Sequence, residues 1–379
     1  MKKMKKGWVS GFLLLVVCAL GAAALLVFRV DPFFHYHAPD TDRYFYPLDN
    51  QRSQNDGILR HFAYDGLITG TSMTENCSAS EAERLFGGRF VKVCYEGSTF
   101  YETAAAIAKA AALNPELKTV IRGLDMDMLQ EKADRRRTDL GDFPDYLYDS
   151  NWFNDLEYLL NRDVLFTRVL PMLQESRRPG FTPGITSFDD YSNWMGDGYG
   201  FGSHAVFPEG LTDLGPQTPV ALTQEEADTI RENIRQNVVL LAREHPQITF
   251  YCFFPPYSAA WWLAWRNGDG IAKKVEAERI AIEEMLTCGN IRLFSFNSCP
   301  EITTNLNFYK DMNHYGEWIN NLILRRMAAG KNRLTRENYA ACLEAEYEFY
   351  QNYDYSRLIQ QEDYADDTQA AEAAMRLEP

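Results

Sequence analysis

Three side chains far apart in the chain have the types that turn a hydroxyl into a nucleophile. Ser72 follows the short apolar run Gly66-Leu67-Ile68-Thr69-Gly70-Thr71, and Asp311-Met312-Asn313-His314 begins 239 residues after it. A serine hydroxyl attacks poorly until a base takes its proton, and that base needs an acceptor on its other nitrogen to hold one tautomer. An acid three positions before a histidine, in a loop entering a helix, can lie beside the ring and leave the far nitrogen facing Ser72. Spacing alone is weak. With 6 histidines and 53 acids among 379 residues, one such pair is expected about 0.8 times by chance. Placement strengthens it, because Ser72 falls where a first strand turns towards a helix and His314 where a last loop does the same.

The elements that must position them read as an α/β pattern. Apolar runs of strand length lie at 66–71, 90–95, 119–124, 248–254 and 291–296. Helical stretches separate them: Ser78 to Phe86 with a Ser78/Glu81 cap, Thr99 to Leu113, Gln224 to His245 and Ala272 to Leu286. The expected fold is a three-layer α/β/α domain with a mostly parallel five-stranded sheet, preceded by one transmembrane helix. Reactive groups in such sheets gather at the carboxyl ends of the strands. The expected division is 1–30 basic tip and anchor, 31–64 stalk, 65–330 the α/β domain with an insertion at 130–223, and 331–379 an acidic helical tail that frays from Asp363. The insertion holds Arg135-Arg136-Arg137, then Asp142-Phe143-Pro144-Asp145-Tyr146, then the glycine-rich piece from Gly196 to Gly202. The last follows no strand and lacks a Lys-Ser/Thr ending, so it is no phosphate loop. It reads as a lid, a substrate-facing loop or a surface loop without chemistry.

The amino end is a different solvent problem. Lys2, Lys3, Lys5 and Lys6 precede 22 uncharged residues, Gly7 to Phe28, about 33 Å of helix and enough to cross a bilayer core. Lysines before the span and Asp31, Asp40 and Asp42 after it put the amino end in the cytoplasm and the body outside. A cleaved signal peptide is the rival, but the apolar stretch exceeds the usual length and has no clear cleavage site. A net charge of -15 offers no footprint for nucleic acid. No cysteine pair has zinc-ligand spacing; Cys288 and Cys299 flank one strand and can bridge, whereas Cys94 and Cys252 read as buried thiols. His35 and His37 read as packed or solvated side chains before metal ligands, and no cofactor is expected.

Gly70-Thr71-Ser72-Met73, Gly97 after the second strand and the closing Asp311-x-x-His314 together resemble the SGNH, or GDSL-like, hydrolase superfamily. The likeness spans roughly residues 65 to 125 and 248 to 330. It implies Ser72 as nucleophile, His314 as general base and acid, Asp311 as its orienter, and the N–H groups of Ser72 and Gly97 as oxyanion donors. Asp125, Asn313, Tyr257 and Ser258 then fall at the substrate pocket. The third block departs from the pattern: Gly123-Leu124-Asp125-Met126 has an acid where the family has an oxyanion-binding Asn. An ionised Asp125 donates nothing, whereas a protonated one can serve, as carboxylic acids do in some apolar sites; losing one such donor costs about 100- to 1000-fold in rate. The single span resembles membrane-anchored members that work on cell-envelope polymers, the teichoic acid D-alanylation and alginate O-acetylation proteins among them. By that resemblance the chain is an extracytoplasmic serine esterase or O-acyltransferase acting on an acyl ester of a surface glycan. The alternative is a catalytically silent relative that binds an envelope polysaccharide or a membrane acyltransferase partner.

Plainer roles stand beside each of these. Ser72 can cap the following helix, Asp311 can cap the helix that carries His314, and Asp125 and Asp127 can be strand-end carboxylates. Trp261, Trp262 and Trp265 suit a sugar face or, more commonly, anchor a helix in the core.

Overall fold

The computed structural model describes residues 2–139, 143–210, 221–267 and 270–378, without the side chains of 2–6 and 267. Asp142, parts of the insertion, the amino-terminal lysine side chains and Pro379 lie outside that description. The chain packs into two compact units, residues 1–62 with 138–187, and residues 63–137 with 188–379.

The first unit is led by the helix Lys2–Val30, of which Gly7–Val30 is long and apolar enough to cross a membrane. The helix stops at Asp31, whose φ of +47° no helix accommodates. Its buried carboxylate accepts the N–H groups of His35, Tyr36 and His37 at 3.0, 2.7 and 3.0 Å and the Tyr158 hydroxyl at 2.8 Å. His35 leans on Asp155, and His37 on the carbonyls of Phe28 and Ala38. The helix Gln51–His61 follows, and Phe45–Tyr46 pairs in parallel with Gly184–Ile185.

The second unit is built on six strands: β1 (Gly66–Gly70), β2 (Phe90–Cys94), β3 (Thr119–Gly123), β4 (Thr249–Phe254), β5 (Ile291–Ser295) and β6 (Arg333–Leu334). Their order is β2-β1-β3-β4-β5-β6, parallel throughout except for the last pair. The five expected strands are present, but the sheet is not five-stranded. β6 consists of two residues that pair with Leu293 and Phe294, too few to leave a periodic signal. β1 and β2 are buried at every position, as apolar runs in a parallel sheet require.

The intervening helices are fixed by their caps. Thr99 and Glu102 form a reciprocal capping box at Phe100–Leu113, and Ser78 accepts from the Glu81 N–H at the start of Ala79–Phe86. The stretch read as one helix from Gln224 runs as Gln224–Ile234, a π-helical turn Arg235–Val239, and Leu240–Glu244. The tail does not fray from Asp363: Asp367–Met375 is a helix with Ala370 and Ala374 buried. Trp261 and Trp262 are core residues, the latter stacked on Tyr350 at 4.3 Å. All seven cysteines are free, so Cys288 and Cys299 do not bridge. Cys299 instead faces Arg326 and Asn332.

Two glycines set the carboxyl edge of the sheet. A Cβ on Gly70, at φ +149°, would meet Thr74 Oγ1 at 2.7 Å, and one on Gly123 would meet Thr74 Cγ2 at 2.7 Å. The Thr74 side chain fills the space that both leave. Gly70→Ala should lower stability by about 1–3 kcal/mol through overpacking and strain, whereas Gly289→Ala, with open space around it, should change little. Chemical unfolding of both variants in detergent measures this, and equal midpoints would show the cradle is not needed.

Glu278 and Glu346 lie buried together between Ile271–Met285 and Tyr339–Asn352. Burial pushes both carboxyls above the ordinary range, and the neighbouring Glu278 pushes Glu346 further. Groups raised on folding add stability that is complete below the ordinary carboxylate range and is lost as pH rises through the raised value. Glu346→Gln should therefore flatten the fall in thermal midpoint between acid and neutral pH. A wild-type midpoint flat across that range would contradict this.

Candidate active site

The strand order reverses at β1: the chain steps to one side for β2 and to the other for β3. Crevices form at the carboxyl ends where connections diverge in this way. Ser72 lies two residues past β1, and Asp125 two past β3. The Ser72 segment is a turn, not a helix start, since the next helix begins at Ala79 with Ser78 as its cap. Ser72 therefore caps nothing there. The Thr74 N–H and hydroxyl both donate to the Thr71 carbonyl, at 3.0 and 2.8 Å, and close the turn around Ser72. Ser72 is half-buried, which leaves its hydroxyl reachable.

The Ser72 hydroxyl and His314 Nε2 are 2.8 Å apart. On the other side of the ring, Nδ1 is 2.8 Å from Asp311 Oδ2 and 3.0 Å from Oδ1. Asp311 Oδ1 also accepts the N–H groups of Asn313 and His314, each at 2.8 Å. Burial pushes the Asp311 carboxyl up, but the His314 bond and charge and these two N–H donors outweigh it, so it titrates below its ordinary value. Asp311 remains the ionised acceptor that fixes the ring. His314 is not on a helix; it sits in a tight loop closed by the Lys310 N–H on its own carbonyl at 3.0 Å, ahead of the helix Glu317–Ala328.

Other elements hold that loop to the serine turn. Ser258, after β4, donates its hydroxyl to the Met312 carbonyl at 2.6 Å, and Tyr309 donates to the Pro256 carbonyl at 2.7 Å. Tyr315 and Asn320 both donate to the Met73 carbonyl, at 3.1 and 2.8 Å. Ser258 thus braces the loop from behind, and the buried Tyr257 points to Asp125. Asn313 is half-buried at the rim of the loop.

Gly97 sits beside the serine turn, because the Tyr95 N–H continues the ladder onto the Gly70 carbonyl at 3.0 Å. Its φ is +57°, and a Cβ there would strike the Arg137 guanidinium, which donates to the Gly97 carbonyl at 2.7 Å. No acceptor among the described residues takes the N–H of Ser72 or of Gly97.

Asp125 accepts the Thr71 hydroxyl on one oxygen and the Tyr257 hydroxyl, at 2.5 Å, on the other. Burial pushes its carboxyl up against the pull of those two bonds. Both oxygens are spent tying the residue before Ser72 to β3 and to the end of β4.

Sequence reasoning did not single out Trp194 or Lys310. The Trp194 ring stands edge-on to the His314 ring, 6.1 Å between centroids. Lys310 Nζ lies 3.8 Å from the Trp194 ring and 3.7 Å from that of Tyr199. The Trp194 backbone N–H donates to Asn76 Oδ1 at 3.1 Å, and the Asn193 amide donates to Glu317 at 2.9 Å. The signals were a tryptophan heading the glycine-rich piece and a lysine adjoining Asp311.

Asp125→Ala should leave two buried hydroxyls unpaired and cost about 1–3 kcal/mol. Asn restores an acceptor for one hydroxyl and a donor to the other, so Asp125→Asn should regain most of that. Urea unfolding compares them, and an alanine variant as stable as wild type would show these bonds contribute nothing net.

No family model and no curated protein matches this sequence. The chain is similar to a solved structure from Streptococcus pneumonia, described provisionally as a platelet activating factor, at 9% identity and a TM-score of 0.35, over 79% of this chain and 91% of that one. A likeness at that level carries no argument, and the functional reading rests on the geometry.

Proposed function

We propose that the chain is a membrane-anchored serine esterase or O-acyltransferase of the SGNH type, with a three-layer α/β/α domain held outside the cytoplasm. Its substrate would be an acyl ester on a cell-surface glycan. The observation that carries this reading is the continuous relay from the Ser72 hydroxyl through His314 to Asp311, with both contacts at 2.8 Å.

In the first half-reaction, Ser72 Oγ bonds to the acyl carbon while His314 Nε2 takes its proton. The carbonyl electrons move onto oxygen, where the unspent N–H groups of Ser72 and Gly97 receive the charge. On collapse the ester bond to the sugar oxygen breaks, and that oxygen leaves with the proton held by His314. The second half-reaction runs the same steps in reverse with water or an acceptor hydroxyl, and returns free acid or a new ester. Asp311 stays ionised throughout and holds the imidazolium in register. Asp125 takes no part at the oxyanion, because its oxygens are occupied by Thr71 and Tyr257. The missing third-block amide then lowers the rate without removing the nucleophile.

A fluorophosphonate probe should label the full-length protein at Ser72. Labelling should vanish in Ser72→Ala, and in Asp311→Asn it should slow by up to about 10⁴, as when a triad imidazole loses its orienting acid. Circular dichroism establishes that the variants are folded. A folded wild-type protein that resists several probes, with a cellular phenotype unchanged in Ser72→Ala, would favour the silent polymer-binding reading.

A further inference from the structure

The apolar helix of the first unit leads into an apolar surface that none of the described residues covers. In residues 152–170, Leu156–Leu159 and the π-helical turn Val164–Val169 pack against the helix Lys2–Val30, which buries Val27 and Val30 in its last turns. The same short stretch exposes large apolar groups: Phe153 is 92% exposed, Trp152 73%, Phe166 60% and Leu156 58%. Single exposed apolar residues are ordinary, but four large ones within 15 residues beside an apolar spanning helix point to an interaction surface.

The attachment to the helix end is rigid. Asp155 binds His35 at 3.3 Å and the Tyr36 hydroxyl at 3.0 Å, and Tyr158 donates to Asp31 at 2.8 Å. A chain of rings runs outward from the helix, with Phe28 and Tyr36 4.7 Å apart and Tyr36 and Trp152 5.9 Å apart. Depth follows from the helix itself. Trp8 and Phe28 are 20 residues apart, about 30 Å of rise and the thickness of a hydrocarbon core. Aromatic side chains favour the boundary between tails and headgroups. A bilayer that encloses Gly7 to Phe28 therefore meets Tyr36 and Trp152 at its surface. Glu157, Arg162 and Asp163 are exposed between the apolar residues, which suits headgroup level and not the deep acyl region.

We propose that Trp152, Phe153, Leu156 and Phe166 form a foot seated in the interfacial layer of the phospholipid bilayer that the amino-terminal helix crosses. This rests on the membrane anchor of the proposed function and adds a second, non-spanning contact. The occupant is lipid because the surface is continuous with the spanning helix.

The test uses the full-length protein in nanodiscs of phosphatidylcholine and phosphatidylglycerol. A photo-reactive benzoylphenylalanine replaces, one at a time, Phe153, Phe166, Leu15 within the span, or Ile359, an exposed residue of the other unit. Mass spectrometry should find lipid adducts at 15, 153 and 166 in yields several-fold above those at 359. Adducts at 15 with only the 359 background at 153 and 166 overturn the foot and leave the anchor. Adducts to a second copy of the chain at 153 also overturn it and assign the surface to self-association. No adduct at 15 removes the anchor and the foot together.

Discussion

The close approach of one threonine to two strand ends is the constraint on which the site depends. Thr74 occupies the space that Gly70 and Gly123 leave free, at the point where the sheet's connections diverge. Its hydroxyl donates to the Thr71 carbonyl and also lies 3.2 Å from Cys94 Sγ. The chain between β1 and the next helix is thereby wound into a tight turn with Ser72 at its surface. A larger residue at either glycine would push the turn off the sheet and move the serine away from the imidazole. Hydrogen bonds of about 2.8 Å tolerate only a few tenths of an ångström of such movement.

The second requirement is that a loop 242 residues distant arrive at the same place. It does so without a helix to carry it. Ser258 and Pro256 at the end of β4 hold Met312 and Tyr309, while Tyr315 and Asn320 reach back to Met73. The serine turn and the histidine loop are thus bonded to each other through Met73 as well as through the relay. This supporting layer makes the relay a property of the fold, because the imidazole's position is set by backbone carbonyls on both sides.

Much of this was legible in sequence, for definable reasons. The five parallel strands stood out because burial on both faces demands uninterrupted apolar runs, and Ser78 with Glu81 announced a helix start because capping is local chemistry. Ser72, Asp311 and His314, which the fold brings into contact, could be singled out because each sits at a strand or loop end with a motif around it. β6 was not legible, because two residues carry no period, and neither was the ordered tail, whose small buried Ala370 and Ala374 resemble a solvated helix. Trp194, Lys310 and the Asp31 clamp escaped for another reason. Their roles depend on contacts across more than 110 residues, and spacing encodes nothing at that range. Asp125 was legible as an acid at the end of β3, where the family resemblance has an oxyanion-binding Asn, but its two bonds to hydroxyls beneath the serine turn were not.

Those two bonds bear on the electrostatics of the site. An acid facing the oxyanion would oppose the charge that develops during acyl transfer. An acid bonded to Thr71 and Tyr257 acts instead on the backbone before Ser72, and its field also reaches His314, which in turn draws its carboxyl down. Under the proposed reaction, the imidazolium formed as Ser72 attacks has Asp311 in direct contact and Asp125 nearby. Burial restrains ionisation of Asp125. Lys310, drawn down by burial and packed over Trp194 and Tyr199, adds positive charge next to Asp311. Asp125 is thus turned inward onto Thr71 and Tyr257, and under the proposed reaction the N–H groups of Ser72 and Gly97 would meet the negative oxygen.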